Sequence, residues 1–202
     1  MARHHYIALA TAVLALFCQF AFVKEIRYIS GDLIFISNPN VPDKLLQAIT
    51  KSKYSHVGIV VREKGRPMVY YAANVVKKVT VPEFTALSVS GKYEVMRMKD
   101  TILTAGLNTF FAEEAKKLLG FPYDTKYSWL DKEMYSTELV WKIFKRATHI
   151  ELCEAKIFNK LVINDTVVRK KIKVQMGDSI PDFTKIVSPS DLYNSPYLVK
   201  IN

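Results

Sequence analysis

Residues 54–76 carry the strongest structural signal in this chain, two apolar runs separated by a short turn. The first run, YSHVGIVVRE, is rich in β-branched residues, and the second, MVYYAANVV, has the same character. The segment KGRP between them has the composition of a turn. Together these segments predict an antiparallel hairpin.

The pattern changes from strands to helices along the chain. Further strands are predicted at 31–37 (GDLIFIS) and 93–99 (YEVMRMK), with a short helix between the first strand and the hairpin. Helical spacing begins at residue 105, and a second helix follows from residue 136. This order predicts one α+β domain in which an antiparallel sheet or barrel packs against helices. The apolar face predicted for the helix from residue 105 comprises Leu107, Phe110, Phe111, Ala115, Leu118 and Leu119.

The N-terminal segment has the composition of an export signal. A short basic stretch precedes an apolar run, residues 7–23, that only Gln19 interrupts. The run fits the hydrophobic region of a signal peptide, and its 17 residues also reach the lower limit for spanning a bilayer. We therefore predict an exported protein of the periplasm or cell envelope. Residues 1–23 would be a signal peptide or a membrane anchor, and residues 24–202 would form the domain.

Positive charge is concentrated late in the chain. The formal net charge is +10 at pH 7, and the segment VVRKKIKVQ contributes four cations, Arg169, Lys170, Lys171 and Lys173. Such a patch attracts anionic lipid headgroups, anionic wall polymers or nucleic acid, and export makes nucleic acid the poorest of these partners. The alternative is a solvated strand edge whose charges prevent aggregation, within a tail of short strands and turns.

Cysteines and metal ligands are sparse. Only Cys18 and Cys153 are present, and Cys18 lies in the predicted export segment, so no disulfide framework is expected. Cys153 has helical spacing with Ile150 and Ile157, which predicts a buried apolar role. No His or Cys spacing matches a zinc site, and we expect neither a metal nor an organic cofactor.

Two positions carry side chains suited to catalysis. Ser136 and Thr137 stand at the predicted start of the second helix, where a hydroxyl is either an N-cap or a nucleophile beside the helix dipole. His149, at the end of that helix, is explained as a cation that complements the dipole. His56 lies inside an apolar strand, either as a hydrogen-bonded core histidine or as the base that activates such a nucleophile.

Five motifs, in order and at matching spacing, resemble the YiiX-like enzymes, which are circularly permuted, papain-like relatives of the NlpC-type cell-wall peptidases. The motifs are GDLIFIS, YSHVGIVV, GFPYDTKYSW, YSTELVWKIF and IVSPSDLY, and they extend from Gly31 to Tyr193. The resemblance implies a permuted papain-like, NlpC-type fold, with the histidine early on a strand and the nucleophile late at a helix start. It places the family's catalytic histidine at His56 and implies an exported hydrolase of the peptidase or amidase class.

The other two catalytic positions depart from the family pattern. Where the family has its nucleophilic cysteine in Y-C-S-E-L-V-W, this chain has YSTELVW, so Ser136 takes the position of the cysteine. Where the family has an orienting carboxylate in V-x-E-A, this chain has VYYAA, so Tyr71 takes the acidic position. Glu138 is a poor substitute acid because residues two apart on a helix point in different directions. We expect impaired catalysis, since serine needs a well-oriented base more than cysteine does.

Aromatic residues are concentrated around the predicted site. Their rings suit acyl chains or sugar rings, although they can equally form core. The loop 121–134 is long enough to line a site. The predicted cleft comprises Tyr54, Tyr71, Tyr123, Tyr127 and Trp129, with Thr137 beside the nucleophile position.

Three functions fit these features. The first is a catalytically impaired hydrolase that binds a small-molecule, lipid, acyl or peptide-like ligand of the cell envelope. The second is an active serine hydrolase that uses Ser136 and His56. The third is a surface-binding protein that acts through its basic C-terminal region. The first accounts for both departures and for the aromatic cleft, so we favour it.

Overall fold

The predicted hairpin is part of a six-stranded antiparallel sheet. The computed structural model describes residues 26–38, 44–160, 166–177 and 184–202. The sheet has the order β4-β3-β2-β1-β5-β8, and a separate two-stranded pair is formed by β6 and β7. The strands are β1 (Leu33–Ile36), β2 (His56–Glu63), β3 (Arg66–Ala72), β4 (Val76–Thr80), β5 (Tyr93–Met98), β6 (Lys156–Ile157), β7 (Lys185–Ile186) and β8 (Leu198–Lys200).

Helices cover the sheet, which confirms the α+β fold class. The largest is α4, in which ten of 13 residues are buried, so it is a central helix rather than a surface one. The α-helices are α1 (Lys44–Thr50), α2 (Val81–Thr85), α3 (Asn108–Lys117), α4 (Ser136–Thr148), α5 (Thr166–Met176) and α6 (Pro189–Tyr193), and short 3₁₀ helices span Thr101–Thr104 and Phe158–Lys160. Among the described residues, no helix combines the length and the apolar character needed to cross a membrane.

The alternation of side chains along β2 divides the interior into two cores. Val57, Ile59 and Val61 face the larger core, which also contains the buried residues of α3 and α4. Val60 faces a smaller core that α2 closes with Val81 and Phe84. Strand β1 and most of β2 are therefore buried on both faces, which explains why these two sequences are largely apolar rather than alternating.

Gly58 is required by close packing in the smaller core. A Cβ at this position would lie 2.4 Å from Val69 Cγ1 and 3.1 Å from Phe84 Cζ. We predict that Gly58→Ala lowers the free energy of unfolding by about 1–3 kcal/mol, the usual cost of overpacking a core. Urea unfolding checks this, with Val69→Ala as a second substitution that should recover part of the loss. Strict additivity of the two changes would contradict the proposed clash.

The segment 166–176 is a helix, so the prediction of short strands there is wrong. Local propensity explains the difference, because Arg, Lys, Gln and Met are good helix formers that outweigh the scattered valines. Ile172 is 6% exposed, whereas Val167 and Val174 are 62% and 82% exposed. The alternative of a cationic strand edge is therefore also wrong, and the four cations stand on a helix.

Two smaller predictions are corrected by the same packing. Phe110 is 53% exposed, because the inward stripe of α3 follows Phe111 and Ala115, which are fully buried. Cys153 lies between α4 and β6 and not in a helix. It is partly buried, and burial raises the pKa of its thiol to about 12, which keeps it protonated and unreactive at neutral pH.

Candidate active site

The start of α4 and the start of β2 lie at the same end of the sheet. Because β2 and β3 are antiparallel, His56 lies near the end of β3, which Asn74 closely follows. The backbone N–H of Tyr123 donates to the carbonyl of Asn74 at 3.0 Å, and that of Met134 donates to the carbonyl of Pro122 at 2.9 Å. The chain is thus fastened to this end of the sheet directly before α4 begins.

Ser136 is the first residue of α4 and is fully buried. The N-cap is Tyr135, whose backbone is extended (φ −93°, ψ 167°), so the expectation that Ser136 caps the helix is wrong by one position. The carboxylate of Glu138 accepts the Tyr135 N–H at 3.4 Å and thereby supplies a cap that a tyrosine does not normally provide. The Ser136 hydroxyl is therefore not needed as the N-cap.

The helix start is clamped to the segment that precedes α6. The Thr137 hydroxyl donates to the Val187 carbonyl at 2.5 Å, and the Val187 N–H donates to the Tyr135 hydroxyl at 3.0 Å. Ser188 follows Val187 and caps α6 by accepting the Asp191 N–H. Thr137, which the sequence places beside the nucleophile position, is thus a buried contact between α4 and the IVSPSDLY motif.

His56 is packed against aromatic rings on the smaller core's face of the sheet. Its ring centroid lies 5.6 Å from that of Tyr71 at an interplanar angle of 88°, and 5.9 Å from that of Phe84. His56 and Tyr71, two of the three predicted catalytic residues, are therefore in contact. The buried apolar residues of α4 belong to the larger core, on the opposite face of the sheet.

Glu138 belongs to a buried ion pair on its own helix. Its carboxylate lies 2.6 Å from the Lys142 ammonium, which also contacts Asp131 at 2.9 Å and the carbonyl of Trp129 at 3.2 Å. Burial raises the pKa of Glu138 to about 7, and the Lys142 charge opposes that rise. These contacts connect α4 with the aromatic loop (residues 121–134).

The raised pKa of Glu138 predicts a pH-dependent stability. A carboxyl whose pKa is higher in the folded state than in the unfolded state stabilises the fold below the unfolded pKa, and that contribution is lost as the pH rises through about 7. Glu138→Gln should therefore gain stability relative to the parent between pH 5 and pH 8, by about 1.4 kcal/mol per unit of pKa elevation. Urea unfolding at several pH values measures this. A difference that is constant over this range would contradict it.

The predicted cleft aromatics are divided between the two cores: Tyr71 belongs to the smaller core, and the other four belong to the larger core or pack against it. Tyr54 packs on Phe35 and Tyr193, with ring centroids 5.5 and 5.0 Å apart. Three further rings lie on the aromatic loop, and of these Tyr123 is 7% exposed. Tyr127 is fully buried, with its ring centroid 4.9 Å from that of Tyr135 and 6.4 Å from that of Phe158. Trp129 is half-buried, with its ring centroid 5.3 Å from that of Trp141.

Asp124 organises the aromatic loop and is not among the residues predicted from the sequence. Its fully buried carboxylate accepts the N–H of Lys126 at 2.9 Å and that of Ser128 at 2.5 Å. The backbone adopts left-handed φ values at Tyr127 (53°) and Trp129 (60°), which the fixed turn imposes on two aromatic residues. An aspartate that accepts the N–H two residues later is a recognised turn signal and would have identified this residue.

Known proteins match this chain over most of its length. The model of the family described as permuted papain-like amidase enzymes, YaeF/YiiX, matches residues 27–202. The uncharacterized protein YiiX of Escherichia coli strain K12 is 31% identical over 172 residues, which are 85% of this chain and 85% of that protein. A crystal structure of YiiX from Escherichia coli O157:H7 has a TM-score of 0.81 at 30% identity and covers 88% of this chain and 98% of that one.

The Escherichia coli O157:H7 protein is described as a metalloprotein. Within the part of this chain that the structure describes, no group of three or more His, Cys, Asp or Glu side chains is placed to hold a metal ion. The described residues therefore do not provide such a donor set. The function proposed below includes no step through a metal.

The predicted resemblance and the permuted papain-like fold are confirmed by these matches. The catalytic roles of His56, Ser136 and Tyr71 stay predictions, since the matches concern the fold and the family as a whole. Because the family model extends from residue 27 to the last residue and YiiX shares the fold, this chain belongs to the permuted papain-like amidase family of YaeF and YiiX.

Proposed function

We propose that this protein is a catalytically impaired member of its amidase family that binds an amide- or acyl-bearing molecule of the cell envelope. The observation that carries the proposal is the pair of replaced positions in an otherwise retained fold. Ser136 begins α4 where the family motif has cysteine, and the ring of Tyr71 contacts His56 where the motif has a carboxylate. Both replacements weaken the same chemical step.

The serine replacement removes the group that a helix start activates best. A thiol with an ordinary pKa of about 8.5 becomes a thiolate readily beside a helix N-terminus and an imidazolium. A serine hydroxyl is a far weaker acid and must lose its proton to a base during attack. His56 would have to perform that task from a fully buried position among Tyr71 and Phe84.

The tyrosine replacement removes the charge that would support such a base. A carboxylate orients the imidazole and stabilises the imidazolium that forms during attack. The Tyr71 ring packs at 88° to the His56 ring, and the Lys77 ammonium lies 5.3 Å from the centroid of the Tyr71 ring. A phenol, unlike a carboxylate, ordinarily carries no negative charge at neutral pH. Loss of both groups is expected to cost several orders of magnitude in rate.

The cellular location is part of the proposal. The apolar run 7–23 supports export to the periplasm or cell envelope, by a cleaved signal or as an anchor. Residues 1–23 lie outside the described residues. The class of ligand follows from this location and from the family, whose members are amidases.

Two other functions each have an observation in their favour. An active serine hydrolase is favoured by the position of Ser136 in the first turn of a 13-residue helix, where partial positive charge accumulates. A surface-binding protein is favoured by α5, where exposed Val167 and Val174 accompany the cations Arg169, Lys170, Lys171 and Lys173. Such a helix suits an anionic membrane surface.

Binding and turnover of one acyl amide distinguish the three functions. We expect N-dodecanoyl-L-alanine to bind without release of alanine, with Trp129→Ala weakening the binding and the exposed, remote Phe110→Ala leaving it unchanged. Release of alanine that disappears in Ser136→Ala would establish an active hydrolase instead. Binding only to anionic vesicles, lost in Lys170→Gln/Lys171→Gln and retained in Trp129→Ala, would establish the surface-binding function.

A further inference from the structure

A cationic cavity lies at the end of the sheet opposite the candidate active site. Arg62 is six residues from His56 along β2, which corresponds to about 20 Å at about 3.3 Å per residue. The cavity has a volume of about 670 Å³. It is built from the segment before β1, the β2–β3 turn, the end of β5 and the residues leading into α3, and its charged lining consists of Arg27, Arg62, Lys64 and Arg97.

Only one of these four cations is neutralised within the described structure. Arg97 forms a two-pronged ion pair with the buried carboxylate of Asp32, at 2.8 Å through Nε and 2.7 Å through Nη2. Arg62 donates instead to the carbonyls of Tyr28, at 3.0 Å, and Gly65. Among the residues that the structure describes, no carboxylate forms an ion pair with Arg62, Arg27 or Lys64.

The Arg62 side chain is held in place before any ligand arrives. The hydrogen bonds to the carbonyls of Tyr28 and Gly65 fix the guanidinium at the cavity wall. The backbone N–H of Arg62 donates to the Ser30 hydroxyl at 2.8 Å. Ser30 in turn contacts the Asn108 side chain, which also lines the cavity. A fixed cation binds an anion with less loss of side-chain entropy than a mobile one.

The balance of charge favours a ligand with more than one negative charge. Three cations without a carboxylate partner suit a phosphate better than a single carboxylate, because phosphate carries more charge and more acceptor oxygens. The volume falls within the range of small-molecule sites and leaves room beyond a phosphate group. Ile29 and Ala105 form an apolar part of the cavity wall, against which the part of the ligand beyond the phosphate can pack.

We propose that this cavity binds a small organic phosphate, with the phosphate on Arg27, Arg62 and Lys64 and the organic part against Ile29 and Ala105. This inference is independent of the function proposed for the active site. The same phosphate chemistry occurs in soluble phosphate esters and in phospholipid headgroups, so the experiment has an arm for each source.

The variants are chosen to remove positive charge without unfolding the protein. Arg27→Gln/Lys64→Gln removes two exposed cations from the cavity, and Lys51→Gln/Lys92→Gln removes two exposed cations outside it as the matched control. Arg97 is left intact because its ion pair with Asp32 is structural. Thermal unfolding establishes that both variants are folded before binding is measured.

Isothermal titration of the full chain with sn-glycerol 3-phosphate, and with glycerate as the carboxylate comparator, tests the soluble source. Co-sedimentation with phosphatidylcholine vesicles containing phosphatidic acid tests the lipid source. We expect phosphate binding to weaken at least about tenfold in the cavity variant, equivalent to about 1.4 kcal/mol, and to change less than about twofold in the control.

The two arms have distinct outcomes. Cavity-dependent binding of the soluble ester alone supports the proposal with a soluble source, and cavity-dependent binding of vesicles supports it with a headgroup source. Absence of binding in both arms would overturn the proposal. Equal losses in the cavity variant and the Lys51→Gln/Lys92→Gln control would also overturn it, since that pattern reflects general attraction to a basic protein.

Discussion

Replacing Ser136 with cysteine should create a thiol that reacts with iodoacetamide about a hundredfold faster at pH 7 than Cys153 does. Burial raises the pKa of Cys153 to about 12, so very little of it is thiolate at that pH. A thiol at the start of α4 lies beside the helix N-terminus and should have an ordinary or lowered pKa. Part of the gain in thiolate is offset because thiolates of lower pKa are less nucleophilic.

The substitution His56→Ala is the control for this prediction. In Ser136→Cys combined with His56→Ala, the rate at residue 136 should fall by at least about tenfold, because the imidazole no longer stabilises the thiolate. Peptide-resolved mass spectrometry after timed alkylation follows residues 136 and 153 in the same sample. A thiol at position 136 that reacts as slowly as Cys153, or that ignores the loss of His56, would show that this end of the sheet no longer has a catalytic arrangement.

Arg97→Met should lower the free energy of unfolding by about 3–5 kcal/mol. This is the largest stability change that we expect from replacing a single partly exposed residue. Asp32 is fully buried and accepts two hydrogen bonds from the Arg97 guanidinium as well as the Ile29 N–H at 2.9 Å. Methionine would fill similar volume but leave a buried carboxylate without its counter-charge. Denaturant unfolding of the parent protein and of Arg97→Met measures the difference in the free energy of unfolding.

An exposed ion pair supplies the matched comparison. Arg146 contacts Asp131 at 2.7 Å, but the Asp131 side chain is 60% exposed. Arg146→Met should therefore cost only about 0–1 kcal/mol, as is typical of solvated pairs. Asp32→Asn added to Arg97→Met should recover part of the larger loss, because the buried charge is gone. An Arg97→Met cost no greater than that of Arg146→Met would contradict the structural role assigned to this pair.

Local patterns in the sequence predicted the sheet well. The hairpin of β2 and β3 follows from two apolar runs and a turn, all within about 20 residues, so little information from distant residues is needed. The prediction of short strands at α5 was wrong, and among the side chains that the structure describes in this helix Ile172 is the buried one. The burial of one residue on a helix face cannot be recognised from the sequence without knowledge of the surface against which it packs.

The site was predictable only where it rests on motif positions. His56, Tyr71 and Ser136 are assigned to the candidate site because each occupies a place in a recognisable motif. The clamp of Tyr135 and Thr137 on Val187 joins residues about 50 positions apart, and the spacing of residues does not encode such contacts. The cationic cavity was missed for the same reason, since its cations come from separate parts of the chain and no local run of charge marks it.

This chain retains the family fold, and we propose that hydrolysis is impaired at Ser136. The most direct test is the intact mass of the folded protein after exposure to a fluorophosphonate probe, with Ser136→Ala and His56→Ala as controls. We predict no gain in mass in the unmodified protein under conditions that label a known serine hydrolase. A gain of one probe that is lost in both variants would show a working serine nucleophile and contradict the claim.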